Sequence, residues 1–475
     1  MTSIPQGGEL AELVLARASA HDCQVIVTET AHLDQRWAVN SATTNGSTSS
    51  TVVTVILTEQ RDGSGDGRAG TDVIASASCS ASLRTRDDIA ALVDRARHAL
   101  TEARNAETAP VEVAGVRDAD FFAQPAPLPA EDIAPLLDQL GSINERLAGQ
   151  GIESFGYLER EQSTVWLASS RGLRRRDTSL QDRLEFTAKS DQRRRSTWHG
   201  QATLNLPDAD VLVERIRRQL DWQGTHVDVQ PGRHTVVLTP SAVADLSVDL
   251  LWSSGARDAA EGRTALHDPH RPSSTKVGEL ICDPRVTLAS NPRASSPSMM
   301  ACTPFALTPV SSRYASVLDN GRDLGAQVWI DHGQLRCLHG PTSDAVSLGV
   351  PVAPTPGNLL VEVAGGTGDL DDLVATVEDG LLITCLWYIR SVDPQTMTVT
   401  GLTRDGVYRV REGMIVGAAP NFRFNDSPLG LLSRLAGATE PQRTLPREMA
   451  DYANRTTVPA MVVRDFHLTS LSDAI

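Results

Sequence analysis

The segment at residues 381–389, LLITCLWYI, restricts this chain more than any other. It is apolar on both faces, too short to cross a bilayer and rich in strand formers, so it reads as a strand buried on both sides. What flanks it agrees. Before it, Asp369 is placed to cap a helix in which Leu370, Leu373, Val374 and Val377 fall at i, i+3, i+4 and i+7, with Gly380 closing that helix. After it come strand patterns at 397–402, 407–411 and 414–419, separated by Arg404-Asp405-Gly406 and Glu412-Gly413, and then NFRFND at 421–426. A buried strand followed by a meander calls for a β-rich domain with a substantial core.

The chain has room for more than that domain. At 475 residues it is too long for one ordinary core, and two or three domains are expected. Residues 1–105 read as an α+β unit: a helix near 10–18, strands near 23–29, 36–43, 50–57 and 72–82, and a helix capped by Thr85. Asp88 takes the capping-box position, and Ile89, Leu92, Val93, Ala96 and Leu100 form one apolar stripe. The glycine-rich insert at 59–71 lacks the Lys-Ser/Thr pair of a phosphate loop and reads as a hairpin tip. Residues 106–130 shift to Ala, Pro and acidic residues and read as a stiff linker. Residues 131–228 then repeat the order helix, strands, helix, with Asp208 capping the last helix. Residues 229–475 form the β-rich C-terminal domain, entered by a strand at 234–239 and a helix capped by Ser241 that ends at Gly255. The expected class is α+β: two helix–strands–helix regions followed by a β-rich domain.

Charge and cysteine usage exclude several functions. A formal charge of -15 opposes general nucleic-acid binding, which needs basic surface to displace counterions. The clusters Arg171 with Arg174 to Arg176, and Arg193 to Arg195, lack interleaved aromatics and read as strand ends and turns. Six scattered cysteines without a CxxC pair suggest reduced, buried thiols rather than a disulfide scaffold or zinc ribbon. The first residues carry neither a basic n-region nor a long apolar stretch, so a cytoplasmic protein without a membrane segment is expected.

Four stretches together resemble the C-terminal domain of the TldD/TldE family, also called PmbA or modulator of DNA gyrase. They are Asp379-Gly380-Leu381-Leu382, Val392-Asp393-Pro394-Gln395-Thr396, Gly406-Val407-Tyr408 and Asn421-Phe422-Arg423-Phe424-Asn425. The resemblance implies a helix after the strand at 234–239 which, in TldD-type members, carries a His-Glu, three residues, His motif, with a cysteine near the C-terminus as third ligand. Such a site works because two neutral imidazoles and a thiolate hold zinc while the glutamate takes a proton from bound water. In this chain Val248, Asp249 and Ser253 fall at the positions matching the motif, and the segment 454–464, NRTTVPAMVVR, lacks the cysteine. The pattern is that of TldE. It implies a chain with no catalytic residues or metal of its own, paired with a TldD-like zinc peptidase that cleaves small, unfolded peptides such as leader segments. The polar residues Asn421, Arg423, Asn425 and Asp426 are then candidates for a partner or substrate surface, or else the solvent side of a strand whose aromatics fill the core.

Two other readings stay open. The chain is an autonomous hydrolase or amidase of a biosynthetic pathway, with His267, His270 and Cys282 as alternative metal ligands, or it is a non-enzymatic adaptor on the same fold. No GxSxG elbow is present, and Cys385 lies inside the apolar strand, where a thiol stays protonated. His332, Cys337 and His339 offer no fixed ligand spacing either.

Overall fold

The computed structural model describes residues 4–18, 22–62, 72–104, 107–108, 113, 115–129, 131, 133–204, 208–294 and 299–473. It is a mixed α+β protein. The chain opens with α1 (Gly7–Arg17), β1 (Asp22–Ala38), β2 (Ser41–Asp62), β3 (Asp72–Ala81), α2 (Arg86–Glu102) and β4 (Glu107–Thr108). It then runs through α3 (Ala134–Gly149), β5 (Glu153–Ser169), β6 (Arg174–Ser190), β7 (Arg195–Gln201) and α4 (Ala209–Trp222). The repeated helix–strands–helix order produces one antiparallel sheet, β4-β3-β2-β1-β5-β6-β7, in which β1 and β5 pair at the centre. Regions 1–105 and 131–228 are therefore joined edge to edge. Each half has its own apolar layer: Leu10, Val14, Leu92 and Val93 pack on β1 to β3, and Leu140, Ile143, Leu212 and Ile216 pack on β5 and β6.

Local signals set some elements and long-range pairing sets others. Thr85 and Asp88 form the expected capping box, and Asp208 caps α4. The strand expected at 23–29 runs on to Ala38 as β1, and the range 36–43 holds a turn at Val39-Asn40, both with positive φ (51° and 61°), before β2 begins at Ser41. Asn40 makes that turn possible by donating from Nδ2 to Ile152 O at 2.8 Å and accepting from Ser154 N on β5. The expected hairpin tip continues β2 through residue 62, and its remainder, 63–71, lies outside the described residues.

The C-terminal region adds β8 (Gly232–Leu238), α5 (Pro240–Trp252), α6 (Ala256–Ala260), β9 (Val286–Ser290), β10 (Gln327–Asp331), β11 (Gln334–Leu335), β12 (Leu338–His339), α7 (Thr342–Leu348), β13 (Val352–Ala353) and β14 (Leu359–Val363). It continues with α8 (Leu370–Ala375), β15 (Asp379–Asp393), β16 (Thr398–Arg411), β17 (Met414–Ala418), β18 (Asn421–Asp426), α9 (Pro428–Ser433), β19 (Leu435–Ala438), β20 (Gln442–Thr444), β21 (Thr456–Val458) and β22 (Met461–Ser472). Strands β15, β8, β22, β18 and β16 pair in a path that returns to β15, closing a ring. Closure removes exposed strand edges and demands bending, which register shifts supply in most of these pairs. A second sheet, β11-β10-β9-β14-β21-β20, stands beside the ring, and α5 belongs to the large core shared between them.

Three expectations change here. Arg404-Asp405-Gly406 is no turn but a bulge inside β16, with Asp405 and Gly406 at φ 50° and 134°, where the register against β15 shifts. Asp369 does form a capping box with Asp372, yet the helix ends at Ala375 and Gly380 lies inside β15. Ser241 does not cap α5, which begins at Pro240 after Thr239; the Ser241 hydroxyl donates to Leu445 O at 2.9 Å.

Candidate functional site

A cleft of about 1130 Å³ opens where α5 ends. Its first wall is built by Trp252 and Ser253 at the helix C-terminus and by Asp258 on α6. Phe305 and residues 314–319 form a second wall. That wall is held from behind by the N-terminal sheet. Phe305 and Val317 pack with Ile26, Ile56 and Leu167, on the sheet face away from α1 and α2. Asn320 Nδ2 donates to Gln24 Oε1 at 2.8 Å, and Gln24 Nε2 donates to Val317 O at 2.9 Å. The third wall comes from the ring, through Met397 and Val399, and Arg455 just before β21 completes the lining.

Segment 445–455 reaches the cleft because α5 holds it. Asp245, fully buried, accepts from the backbone N–H groups of Arg447, Glu448 and Met449 at 3.2, 3.0 and 3.0 Å. Burial pushes its carboxyl up to about 8, against the opposing pull of those three donors. Inside the cleft most charges are spoken for. Asp258 accepts from Arg313 Nε at 2.8 Å and from the Tyr314 hydroxyl at 2.7 Å. Asp319 pairs with Arg322 at 3.1 Å and accepts from Thr342 N at 2.8 Å. His339 stacks on Tyr314 and bonds through Nε2 to Trp252 O at 2.9 Å; burial holds its imidazole below the usual range and therefore neutral near pH 7.

The residues singled out from sequence distribute unevenly around this site. Ser253 lines it, and so does Arg455 from segment 454–464. Val248 is buried in the shared core, and Asp249 is mostly buried beside it, with its carboxyl raised by desolvation to about 6. Helix α5 thus offers carboxylates and hydroxyls but no imidazole or thiolate, a donor set that does not fit the zinc centre of a metallopeptidase. The polar residues of β18 lie off the cleft: Phe422 and Phe424 are fully buried in the core, Arg423 is exposed, and Asn421 accepts from the Thr403 hydroxyl at 3.2 Å. Asn425 stands on the same strand, and Asp426 is tied up by Arg434 and by the N–H of His467 at 3.1 Å.

The other candidate ligands are dispersed. His267 bonds through Nδ1 to Ala259 O at 2.9 Å, His270 is exposed, and burial pushes the Cys282 thiol up to about 12. Among the described residues these three do not gather within reach of one ion, nor do His332, Cys337 and His339. The group that does, His32 with Glu159 and Glu161, sits across β1 and β5, where its imidazole and carboxylates face one another. Arginines 174 to 176 are ion-paired with Glu12, Asp118, Asp323 and Asp120, and Arg175 stacks on Phe305, so this cluster braces the cleft wall. Sequence reasoning passed over Asp258, Tyr314 and Arg455 as site residues. Only Arg455 carried a signal, by lying in the segment where the resemblance places the third ligand.

Comparison with known proteins places this geometry. Among curated proteins none matches significantly in sequence. Solved structures match over nearly the whole chain. TldE from Thermococcus kodakarensis superposes with a TM-score of 0.70 at 14% identity, covering 96% of this chain and 99% of that one. Proteins described as modulators of DNA gyrase from Bacteroides thetaiotaomicron and Thermotoga maritima give TM-scores of 0.69 and 0.70 at 16% and 15% identity. They cover 98% and 96% of this chain and 98% of each of those chains. A model of the PmbA/TldA metallopeptidase C-terminal domain matches residues 231–470, just over half of the chain, and the protein belongs to the PmbA/TldD family.

Proposed function

We propose that this chain is a TldE-like, non-catalytic subunit of a heterodimeric peptidase whose zinc and general base reside in a TldD-like partner. The observation that carries the reading is the combination at α5: the helix lacks imidazole and thiolate, yet the cleft it borders is ligand-sized and firmly built. The likeness to TldE over nearly the full length supports it. In this reading the chain supplies one wall of the peptide chamber and the contacts that hold the partner, while bond cleavage belongs to the partner. The substrates are small, unfolded peptides, including leader segments and peptide-like biosynthetic intermediates, acted on in the cytoplasm. Among the described residues no helix is long and apolar enough to cross a membrane.

The test is metal content by elemental analysis, with peptide cleavage, on the chain alone and on the chain co-purified with a TldD homologue. The expected result is a metal-free, inactive chain and an active pair with about one zinc per heterodimer, as one catalytic centre requires. Stoichiometric zinc with cleavage by the isolated chain would overturn the reading in favour of an autonomous hydrolase. Assembly that leaves the partner's cleavage unchanged would make the chain an adaptor.

A further inference from the structure

Among the described residues that line the cleft, Arg455 is a charged side chain without an ion-pair partner. It is 9% exposed. Its guanidinium has a single side-chain acceptor, the Gln181 amide oxygen, at 3.0 and 3.1 Å with that amide turned toward it. Among the described residues no carboxylate forms an ion pair with it. Asp177 is near enough to attract it, but that carboxylate is partly buried and accepts from the Thr303 hydroxyl at 3.0 Å. Cys302 and Glu161 attract it as well, but the Cys302 thiol is buried, held above its usual range and therefore neutral. Desolvation outweighs these attractions and holds the Arg455 guanidinium below its ordinary range. A buried cation with one neutral acceptor is a costly arrangement.

The rest of the cleft indicates what would answer that charge. Both acidic side chains of the lining, Asp258 and Asp319, are already engaged by Arg313 with Tyr314 and by Arg322 with Thr342. Neither is free to neutralise Arg455. The volume, about 1130 Å³, holds several peptide residues. Phe305, Leu307, Leu324, Met397 and Val399 give it apolar walls, and Trp252, 41% exposed, stands at its edge. A planar guanidinium matches a carboxylate through two parallel N–H···O bonds, which a neutral amide cannot reproduce.

We infer that the cleft binds a short apolar peptide by its carboxylate, with Arg455 as the anchor. This deepens the reading of the chain as a peptide-chamber wall and rests on it for the substrate class, but its test uses the isolated chain and no partner. A failure here is therefore distinct from a failure of the metal assay.

The experiment is isothermal titration of the full chain with three pentapeptides of the same apolar sequence: one with a free C-terminus, one C-terminally amidated, and one amidated with a final glutamate. The free acid is expected to bind at least about tenfold more tightly than the amide, the scale of one charged hydrogen-bonded contact. Arg455→Met abolishes that preference without weakening the amide, and Arg455→Lys restores part of it. Recovery by the glutamate peptide identifies any carboxylate as the ligand, and no recovery restricts it to the chain terminus; both support the anchor. Equal affinity of acid and amide for the unaltered chain overturns the inference, as does a preference that survives in Arg455→Met. The acid-to-amide comparison on the unaltered chain holds even if a variant fails to fold.

Discussion

Arg447→Met tests how the segment leading to the cleft is held, and its cost can be worked from the contacts. The Arg447 side chain is 10% exposed and pairs with Asp405, which is 3% exposed, while a second contact runs from Nη1 to Cys385 Sγ at 2.8 Å. Its guanidinium also lies over the rings of Trp198 and Trp387, 5.2 Å from each centroid. Asp405 accepts from the Ser196 hydroxyl at 2.6 Å on β7, so the pair links three distant parts of the chain. Removing one member of a buried pair costs about 3–5 kcal/mol, because the other charge is left in a poor solvent. Arg404 stands 3.5 Å from the same carboxylate and offsets part of that loss, which favours the lower end. Losing two cation–π contacts adds about 0.5–1 kcal/mol each. The sum is about 4 kcal/mol.

The companion is Arg447→Met with Asp405→Asn. Asp405 sits at φ 50°, a conformation asparagine also tolerates, so the second change adds little backbone strain. With both charges gone the desolvation penalty disappears, and at least about 2 kcal/mol should return. The assay is urea unfolding of each single variant and the double, followed by the fluorescence of the tryptophans that flank the pair. A single-variant cost below about 1 kcal/mol would refute the reasoning, since it would mean that Asp405 is adequately solvated without Arg447. So would a double variant as unstable as the sum of the two singles.

Two further outcomes follow from α5. Asp249 has a folded value near 6 against an ordinary 3.8, so its stabilising effect is complete below about pH 4 and lost as pH rises through 6. Asp249→Asn should therefore gain about 1–3 kcal/mol relative to the unaltered chain at pH 8 compared with pH 4, and equal differences at both pH values in urea unfolding would disprove it. Asp245→Ala strands the backbone N–H groups of residues 447–449 and should cost at least about 3 kcal/mol with faster hydrogen exchange at those amides; unchanged exchange there would show that Asp245 does not hold the segment.

What the sequence makes legible is what short stretches decide. The capping box at Thr85 and the cap at Asp369 rest on residues close in sequence, and both form, the latter as a capping box with Asp372. The run at 381–389 lies in a strand of the closed ring and is buried as read up to Leu386, whereas Trp387 is half-buried and Tyr388, at φ 60°, is 59% exposed. The turn at Val39-Asn40 was hidden because valine is a poor turn residue; what stabilises it is the bonding of Asn40 to β5, more than a hundred positions along the chain. Arg404-Asp405-Gly406 has the composition of a turn, but closing the ring asks for a bend in a continuous strand, and the same residues provide it. The site escapes for a related reason. Arg455 is one arginine among many in the sequence, and its character comes from burial with a neutral amide as its hydrogen-bond acceptor.

The same point bears on why a cleft of this kind would persist on a chain without the metal motif. Val248 is 2% exposed within the core, so an imidazole there would have to turn polar atoms into apolar packing unless a metal or acceptor met them. With valine there, the helix packs as an ordinary core element. The buried Arg455 guanidinium that lines the same cleft as the helix end has a further effect: it repels a dication and attracts a carboxylate. The same charge thus favours a carboxylate over a metal ion in this cleft. On the proposed reading, partner and chain divide these tasks, with the dication in the TldD-like subunit and the anionic end of the peptide held here. Histidines placed at Val248 and Ser253 would then fail to recruit zinc while Arg455 remains; zinc uptake by that variant, measured by elemental analysis, would show that the guanidinium is not what sets the cleft's preference.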